Sequence, residues 1–211
     1  GKLIKDVNKN DYVSNNHFKR KKIGIVILSR SASIRFPSKY KKKLGNISLL
    51  EFVIKRSLLS KFSKNLVIAT GNLEKKKFFY KNLIKKYSLK SYFGNDDDPS
   101  LRILNAAKKF GFTDVIRVTS DDPFRCIESM DKLCEEHIKY GFNASKTINL
   151  PYGTHTEIIN IDFLKNLLKK IENIHHREYL EEYLMFPNTI VNQMRVNNGI
   201  NFDQKYRLTI D

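Results

Sequence analysis

The sequence contains few cysteines and no long apolar run. Its 211 residues include two cysteines, Cys126 and Cys134, eight positions apart. With no second pair, they provide no ligands for a paired-cysteine zinc site and no disulfide framework. We therefore expect both cysteines to pack in a helix, in a reducing compartment.

No apolar run approaches the length that spans a membrane, and no signal peptide opens the chain. The sequence therefore predicts a cytoplasmic protein without a membrane partner. Its length suits one well-packed α/β domain, and 41% hydrophobic and 29% charged residues are typical of a globular protein.

Acidic residues are also scarce, with 22 Asp and Glu against 39 Lys and Arg, a net charge of +17. Such a charge suggests a nucleic-acid partner. The excess is spread along the whole chain, however, and no aromatic-interleaved basic motif of an RNA-binding sheet is present. We therefore expect no specific nucleic-acid partner, although a general attraction for anionic nucleotides remains.

Several catalytic signatures are missing, among them the Gly-x-Ser-x-Gly elbow, the Walker-A loop and the Ser-His-Asp order. The histidines offer no metal site either. His175 and His176 are adjacent and would point about 100° apart on a helix, and His137 and His155 have no partner at ligand spacing. We predict structural or surface roles for all four.

From residue 23 onward, strand-like and helix-like segments alternate. This alternation predicts a three-layer α/β/α fold with a mostly parallel, twisted, Rossmann-like sheet. The predicted strands are 23–28, 66–69, 89–93, 115–118, 143–148, 157–161, 191–196 and 206–210. The predicted helices are 49–60, 74–86, 99–110, 128–140, 163–171 and 177–185.

The first strand leads into a loop with three cations, Arg30, Arg35 and Lys39. Ligands of open α/β sheets bind at the carboxyl ends of the strands, so these cations are placed to hold a polyphosphate. The alternative interpretation is a solvated basic turn.

The fourth strand leads into Asp121 and Asp122, followed by Pro123. Mg²⁺ binds through one or two carboxylates together with phosphate oxygens and water. A metal site at this strand end therefore fits a triphosphate-binding loop on the same edge. The alternative is an Asp-Pro turn or a helix cap.

The two segments together resemble the signatures of sugar-acid cytidylyltransferases, which include the CMP-Kdo and CMP-sialate synthetases and the spore-coat polysaccharide enzymes. Residues 30–39 match Arg-x4-Arg-x-Pro-x-Lys, and residues 119–123 resemble Gln/Thr-Gly-Asp-x-Pro. Related nucleotidyltransferases have a glycine-rich first loop, whereas this chain has no glycine between Gly24 and Gly45. The resemblance implies a nucleotidyltransferase fold of the GT-A-like type.

The resemblance also assigns residues to the nucleotide and the metal. Catalytic roles fall on Arg30, Lys39 and Asp121. Residues 206–211 resemble the family's Arg-x-Thr-x-Asp strand, which makes Asp211 the second Mg²⁺ ligand beside Asp121. Ser120 replaces the family's glycine. The nucleotide-binding residues implied are Arg30, Ser33, Arg35, Lys39, Thr70 and Ser120.

Acceptor contacts are implied for Glu157, Arg177 and Arg207. Residues 151–157 resemble the spore-coat segment Pro-Asp-Gly-Leu-Asp-Val-Glu, but Tyr152 and His155 replace both of its aspartates. This divergence indicates an unusual acceptor or a loss of activity.

The ends of the chain carry their own expectations. Residues 1–22 are a tail or the remnant of a preceding domain, and residues 3–20 resemble the antifreeze-like module of sialic-acid-synthase-type proteins. Residues 23–211 form the cytidylyltransferase-like domain. We expect it to be truncated, because the chain stops directly after a strand, at Asp211.

The sequence thus predicts a Mg²⁺-dependent cytidylyltransferase that joins CTP and an acidic sugar in surface polysaccharide or glycoconjugate precursor synthesis. One alternative is a catalytically weak nucleotide-binding or dimerisation domain of a fusion protein. Another is a GT-A-type glycosyltransferase, whose Asp-x-Asp motif would have to be residues 96–98, predicted as a solvated loop. Pairing into a homodimer is left open.

Overall fold

A computed structural model of the chain describes residues 21–29, 38–171, 173, 177, 180, 192–195 and 206–210. The N-terminal segment 1–20 and the module resemblance within it lie outside these ranges. Across the described residues, no helix combines the length and the apolar character that crossing a membrane requires.

The core of the fold is a seven-stranded sheet. The strands are β1 Ile23–Ser29, β4 Leu66–Gly71, β5 Lys90–Gly94, β6 Asp114–Thr119, β7 Ala144–Ile148, β8 Glu157–Asn160 and β9 Asn192–Arg195. Their order in the sheet is β5-β4-β1-β6-β8-β7-β9. All pairs are parallel except those of β8, which runs antiparallel to both β6 and β7. The predicted mostly parallel sheet is confirmed.

Five described helices cover the two faces of the sheet. Because side chains alternate across a strand, Ile25 and Ile27 of β1 enter one apolar cluster, whereas Val26 and Leu28 enter the other. The helices are α1 Leu49–Ser57, α2 Phe78–Lys86, α3 Pro99–Phe110, α4 Ile127–Tyr140 and α5 Ile161–Lys170. The first cluster includes residues of α1, α2 and α4, and the second includes residues of α3 and α5. The three-layer prediction is therefore confirmed.

Local signals explain why α3 has the predicted bounds 99–110. The Asp98 side chain accepts a hydrogen bond from the amide of Leu101, Pro99 occupies the first turn, and Gly111 ends the helix at φ 66°. These are an N-cap, a tolerated proline and a left-handed C-terminal glycine.

The structure departs from prediction at several boundaries. A two-stranded hairpin of β2 Lys43–Leu44 and β3 Ile47–Ser48, turning at Gly45, was not predicted. Helix α2 begins at Phe78 rather than residue 74, because a 3-10 helix precedes it at Asn72–Glu74. The predicted strand 206–210 forms only one parallel bridge, from Arg207 to Tyr152.

Cys126 is half-buried at the N-cap of α4, and Cys134 is buried within that helix. The expectation that both cysteines pack within a helix is thus correct for Cys134. It is wrong for Cys126, which lies one residue before the helix begins. The predicted helix 177–185 falls largely outside the described residues.

Candidate active site

Three parallel strands place the candidate site at one edge of the sheet. In the register of β1, Leu28 lies beside Ala69 of β4 and Thr119 of β6, and Ser29 lies beside Thr70. The chain leaves all three strands at this carboxyl edge, which is where open α/β sheets bind ligands.

Lys39 and Asp121 meet at this edge. The Lys39 ammonium donates a hydrogen bond to Asp121 Oδ2 and forms an ion pair with it. Both side chains are partly accessible, 14% for Lys39 and 27% for Asp121. The contact joins two segments separated by 82 positions in the sequence.

An aromatic anchor fixes the position of Lys39. Lys39 is the first residue of the 3-10 helix Lys39–Lys41, which follows Ser38 at φ 55°. The next residue, Tyr40, is buried and stacks on Tyr80 with 5.2 Å between ring centroids. The hydroxyls of Tyr80 and Ser29 share a hydrogen bond of 2.9 Å, which ties this anchor to the end of β1.

The described C-terminal segment reaches the same place. The Ile210 amide donates to the Asp121 carbonyl at 2.9 Å. The Leu208 amide donates to the Tyr152 carbonyl at 2.8 Å, and the Tyr152 amide donates to the Tyr206 carbonyl at 3.0 Å. Segment 206–210 therefore lies between the loop after β6 and the 150–156 loop.

Gly153 makes this packing feasible. Its φ of +89° lies in the left-handed region that glycine tolerates, and a Cβ there would lie 2.6 Å from Thr209 Cγ2 and 2.9 Å from the Leu208 carbonyl oxygen. A side chain at Gly153 would thus push the C-terminal segment away.

A second set of charges lies in the same loop as Asp121. Thr119 Oγ1 donates to Asp122 Oδ2 at 2.6 Å, and Arg125 Nη2 lies 3.6 Å from the same carboxylate oxygen. Burial raises the pKa of Asp122 despite the nearby Arg125, and burial lowers the pKa of the Arg125 guanidinium. The ion pair with half-buried Asp122 therefore offsets part of the cost of burying the Arg125 charge in this loop.

These charges continue into the 150–156 loop and β8. Arg125 Nη1 donates to the His155 carbonyl, and Arg117 Nη1 donates to Glu157 Oε2 at 3.3 Å. Burial, followed by the charges of Lys146 and Arg125, lowers the pKa of His155. The predicted structural or surface role for His155 stays a prediction.

The structure describes two of the remaining residues that are predicted to bind the nucleotide. Ser120 is buried, and its amide donates to the Leu28 carbonyl at 3.1 Å, so it extends the β1–β6 pairing. Thr70 is fully buried at the end of β4. Arg30, Ser33, Arg35 and Asp211 lie outside the described residues.

The predicted acceptor residues have different surroundings. Glu157 is buried against Arg117, whereas Arg207 is exposed, with its guanidinium carbon 4.7 Å from the centre of the Tyr152 ring. Arg177 donates to Asp98 Oδ2 at 2.9 Å and to carbonyls at the end of α5. These contacts give Arg177 a structural role between α3 and α5, and acceptor binding by all three residues stays a prediction.

Two alternative predictions for the carboxylates are wrong in part, although residues 120–121 and 123–124 do form the turns that the first of them included. Asp121 is not a helix cap, because α4 begins only at Ile127 and has Cys126 at its N-cap. Residues 96–98 are not uniformly solvated, because Asp98 is 1% exposed, caps α3 and pairs with Arg177.

The Asp121 carboxylate is the candidate ligand for a divalent cation at this edge of the sheet. Within the described ranges, no group of three or more His, Cys, Asp and Glu side chains converges as ligands. Mg²⁺ does not need such a group, since one or two carboxylates plus substrate phosphates and water suffice. The partly accessible Asp121 carboxylate, already holding a cation in Lys39, fits that requirement.

Arg125 was not among the predicted site residues, and Asp122 had no predicted role. Both are buried or half-buried, and they are three residues apart, the spacing of an ion pair within one turn. The sequence does contain one signal for this ion pair, which is an acidic and a basic residue three positions apart directly after the predicted metal ligand Asp121.

Comparison with known proteins agrees with the resemblance. A family model described as cytidylyltransferase matches residues 24–194. The spore coat polysaccharide biosynthesis protein SpsF of Bacillus subtilis is 26% identical over 196 residues, covering 88% of this chain and 80% of that protein. An uncharacterized protein of Methanocaldococcus jannaschii is 29% identical over 159 residues, 75% of this chain and 65% of its own length.

A 3-deoxy-manno-octulosonate cytidylyltransferase of Leptospira interrogans is 25% identical over 153 residues, 71% of this chain and 60% of that enzyme. The chain therefore spans less than two thirds of the length of the Methanocaldococcus and Leptospira relatives.

Solved structures show the same fold. A cytidylyltransferase from Leptospira borgpetersenii superposes with a TM-score of 0.81 at 26% identity, over 91% of this chain and 82% of that one. CMP:2-keto-3-deoxy-manno-octonic acid synthetase complexed with CTP superposes with a TM-score of 0.68 at 15% identity, over 87% of this chain and 93% of that one.

Proposed function

The chain belongs to the cytidylyltransferase family, and from that premise we propose that it transfers a cytidylyl group from CTP to an acidic sugar or a related anionic acceptor, releasing pyrophosphate. The observation that carries the proposal is the pairing of Lys39 with Asp121 at the carboxyl edge of the sheet. One basic and one acidic residue, predicted separately from two motifs, meet where a nucleotide would bind.

Each side of this pair suits one part of a nucleoside triphosphate. Lys39 would bind the outer phosphates and neutralise the charge that develops on pyrophosphate. Arg30, Ser33 and Arg35 precede Lys39 in the same motif and would extend this anion site. Thr70 and Ser120, at the ends of β4 and β6, would meet the nucleoside side.

Asp121 and Asp211 are proposed to hold Mg²⁺ against the α-phosphate. When bound, Mg²⁺ would polarise the phosphoryl oxygens and neutralise the charge that develops on them. The contact between Ile210 and the Asp121 carbonyl supports the pairing, because Ile210 directly precedes Asp211 in the chain. Segment 206–210 thus brings the chain to the first proposed ligand.

The reaction would be an in-line displacement. The acceptor hydroxyl forms a bond to the α-phosphorus, the bond to the bridging oxygen breaks, pyrophosphate leaves and the hydroxyl proton is released. Transfers of this kind depend mainly on positioning and charge stabilisation. Cations and a carboxylate in fixed positions are therefore sufficient for this catalysis, and no residue is assigned as a general base.

The acceptor is proposed to be anionic and to bind beside residues 150–157. Exposed Arg207 over Tyr152 places a cation on this side of the site. The octulosonate enzyme supports an acidic sugar as acceptor, and SpsF supports a role in polysaccharide precursor synthesis. The glycosyltransferase alternative loses support, because Asp98 of its proposed metal motif caps α3.

The test is nucleotide preference. Titration calorimetry with CTP, UTP, ATP and GTP in the presence of Mg²⁺ is expected to give the tightest binding for CTP. Equal affinities for all four would reduce the site to a general anion site. Pyrophosphate release from CTP with a panel of sugar acids then identifies the acceptor.

A further inference from the structure

The ion pair between Lys39 and Asp121 places a cation beside the proposed metal ligand. Its cation is the Lys39 ammonium, in direct contact with the carboxylate assigned to the metal. We propose that Lys39 holds the metal position until a nucleotide arrives, so that metal and triphosphate enter the site together. This inference rests on the proposed function and adds to it an order of binding.

The fold, rather than a flexible side chain, fixes Lys39 at this position. Its side chain is only 14% exposed, and the neighbouring Tyr40 is buried between Phe79 and Tyr80. The next lysine of the run, Lys41, lies instead 5.7 Å from the Phe79 ring centre. Lys39 therefore reaches Asp121, whereas Lys41 lies over an aromatic ring.

The neighbouring carboxylate, Asp122, adds no uncompensated negative charge beside Asp121. The second carboxylate of the loop, Asp122, lies against Arg125 and accepts a hydrogen bond from Thr119. Because each carboxylate has its own cationic partner, the described site offers an approaching metal no uncompensated negative charge. A divalent cation alone must displace Lys39 from Asp121 and then remain beside its positive charge.

A triphosphate reverses this preference. Its outer phosphates give Lys39 a new anionic partner, and the Asp121 carboxylate becomes free at the moment when phosphate oxygens are available as further ligands. Because coupling between two ligands is reciprocal, a side chain that weakens metal binding in the empty site strengthens the link between metal and nucleotide. Lys39 thus determines when the metal can reach Asp121.

The experiment measures Mn²⁺ binding to the nucleotide-free full chain, by the loss of the free Mn²⁺ paramagnetic resonance signal. The variants are Lys39→Met, Lys39→Gln, Asp121→Asn and the Lys39→Met/Asp121→Asn double variant. Lys43→Met is the matched control, because it removes one exposed lysine from the same run. Mn²⁺ alone is the probe, so catalysis does not enter the readout.

Both Lys39 variants are expected to bind one Mn²⁺ about tenfold or more tightly than wild type, within the usual range of coupling factors. Lys43→Met is expected to bind as wild type, and Asp121→Asn should remove the gain in the double variant. Binding by the Lys39 variants no tighter than by Lys43→Met overturns the inference. A gain that persists without the Asp121 carboxylate overturns it as well.

Failure here and failure of the proposed function give different results. A wild-type protein that prefers CTP and releases pyrophosphate, together with Lys39 variants that gain no Mn²⁺ affinity, keeps the function and removes the binding order. Tighter Mn²⁺ binding with equal affinity for all nucleotides keeps the lysine–metal competition and removes the cytidylyl function.

Discussion

Arg125 donates a hydrogen bond to the carbonyl oxygen of His155 and so joins the loop that carries Asp121 to the 150–156 loop. The Cys126 amide reinforces the connection by donating to the Thr154 carbonyl at 3.3 Å. The Arg125 carbonyl accepts from Arg56 of α1 at 2.7 Å. One buried arginine therefore holds together the proposed metal side and the proposed acceptor side.

Replacing Arg125 with methionine is expected to lower the free energy of unfolding by about 3 kcal/mol at neutral pH. Removing one partner of a buried ion pair leaves the other as an uncompensated charge, here Asp122. Urea unfolding followed by circular dichroism measures the loss.

The control for Arg125 is the double variant Asp122→Asn/Arg125→Met. It removes both charges and should be less destabilised than Arg125→Met alone. A double variant that is as unstable as the single one would show that the arginine acts through its packing and not through its charge.

Gly153→Ala is expected to destabilise the protein by about 1–3 kcal/mol, from backbone strain plus a collision with the C-terminal segment. Gly45→Ala is the matched control: its φ of +65° is also left-handed, but no atom lies within 4 Å of the added Cβ. Thermal unfolding should show a larger loss at Gly153 than at Gly45. Equal losses would mean that segment 206–210 moves away from the added methyl group without loss of stability.

The layered fold was predictable because its signals are local and repeated. The β-branched run of β1 and the capping residues Asp98, Pro99 and Gly111 are readable in the sequence, and both elements lie within a residue of prediction. The hairpin β2–β3 was not predictable in the same way. Its strands have two residues each, too few for a period to show.

The site was predictable where a motif carried it and not where tertiary contacts make it. Lys39 and Asp121 were chosen from separate motifs and meet in the fold. The role of Arg125 depends on the His155 carbonyl, and backbone carbonyls leave no mark in a sequence. The structural contacts of Arg177 arise in the same way, from carbonyls at the end of α5.

His155 gives a pH prediction. Burial and the cations Lys146 and Arg125 hold its folded-state pKa below the ordinary 6.5. The stability from this neutral imidazole is therefore present above pH 6.5 and is lost as the pH falls through the lowered folded-state pKa. Wild type should lose more stability than His155→Gln between neutral pH and about pH 5. Urea unfolding measures both losses. If the two proteins lose the same stability over this pH range, the titration belongs to a group other than His155.

Lys39→Ala should weaken binding of CTP by about 1.5–3 kcal/mol, the value of a hydrogen bond to a charged group. CMP lacks the outer phosphates, so its binding should change less. Calorimetry with both nucleotides measures the difference, and Lys43→Ala, an exposed lysine of the same run, controls for general charge. A parallel loss for CMP would place Lys39 away from the outer phosphates.

Asp121→Asn separates a metal ligand from a structural carboxylate. Asparagine nearly preserves the shape and can still accept a hydrogen bond from Lys39. The lost ion pair is partly exposed, so the free energy of unfolding should change by at most about 1 kcal/mol. Turnover should fall by a hundredfold or more, on the order of the loss when one electrostatic stabiliser is removed.

The measurement is pyrophosphate release at saturating CTP and limiting Mg²⁺, with Asp97→Asn as control, because Asp97 is an exposed carboxylate in the loop between β5 and α3. Asp97→Asn should retain wild-type turnover. Because Asp121 does not cap α4, which begins at Ile127, a loss at Asp121 cannot be assigned to a broken helix cap. Near wild-type turnover in Asp121→Asn would make this carboxylate structural and would remove the centre of the proposed mechanism.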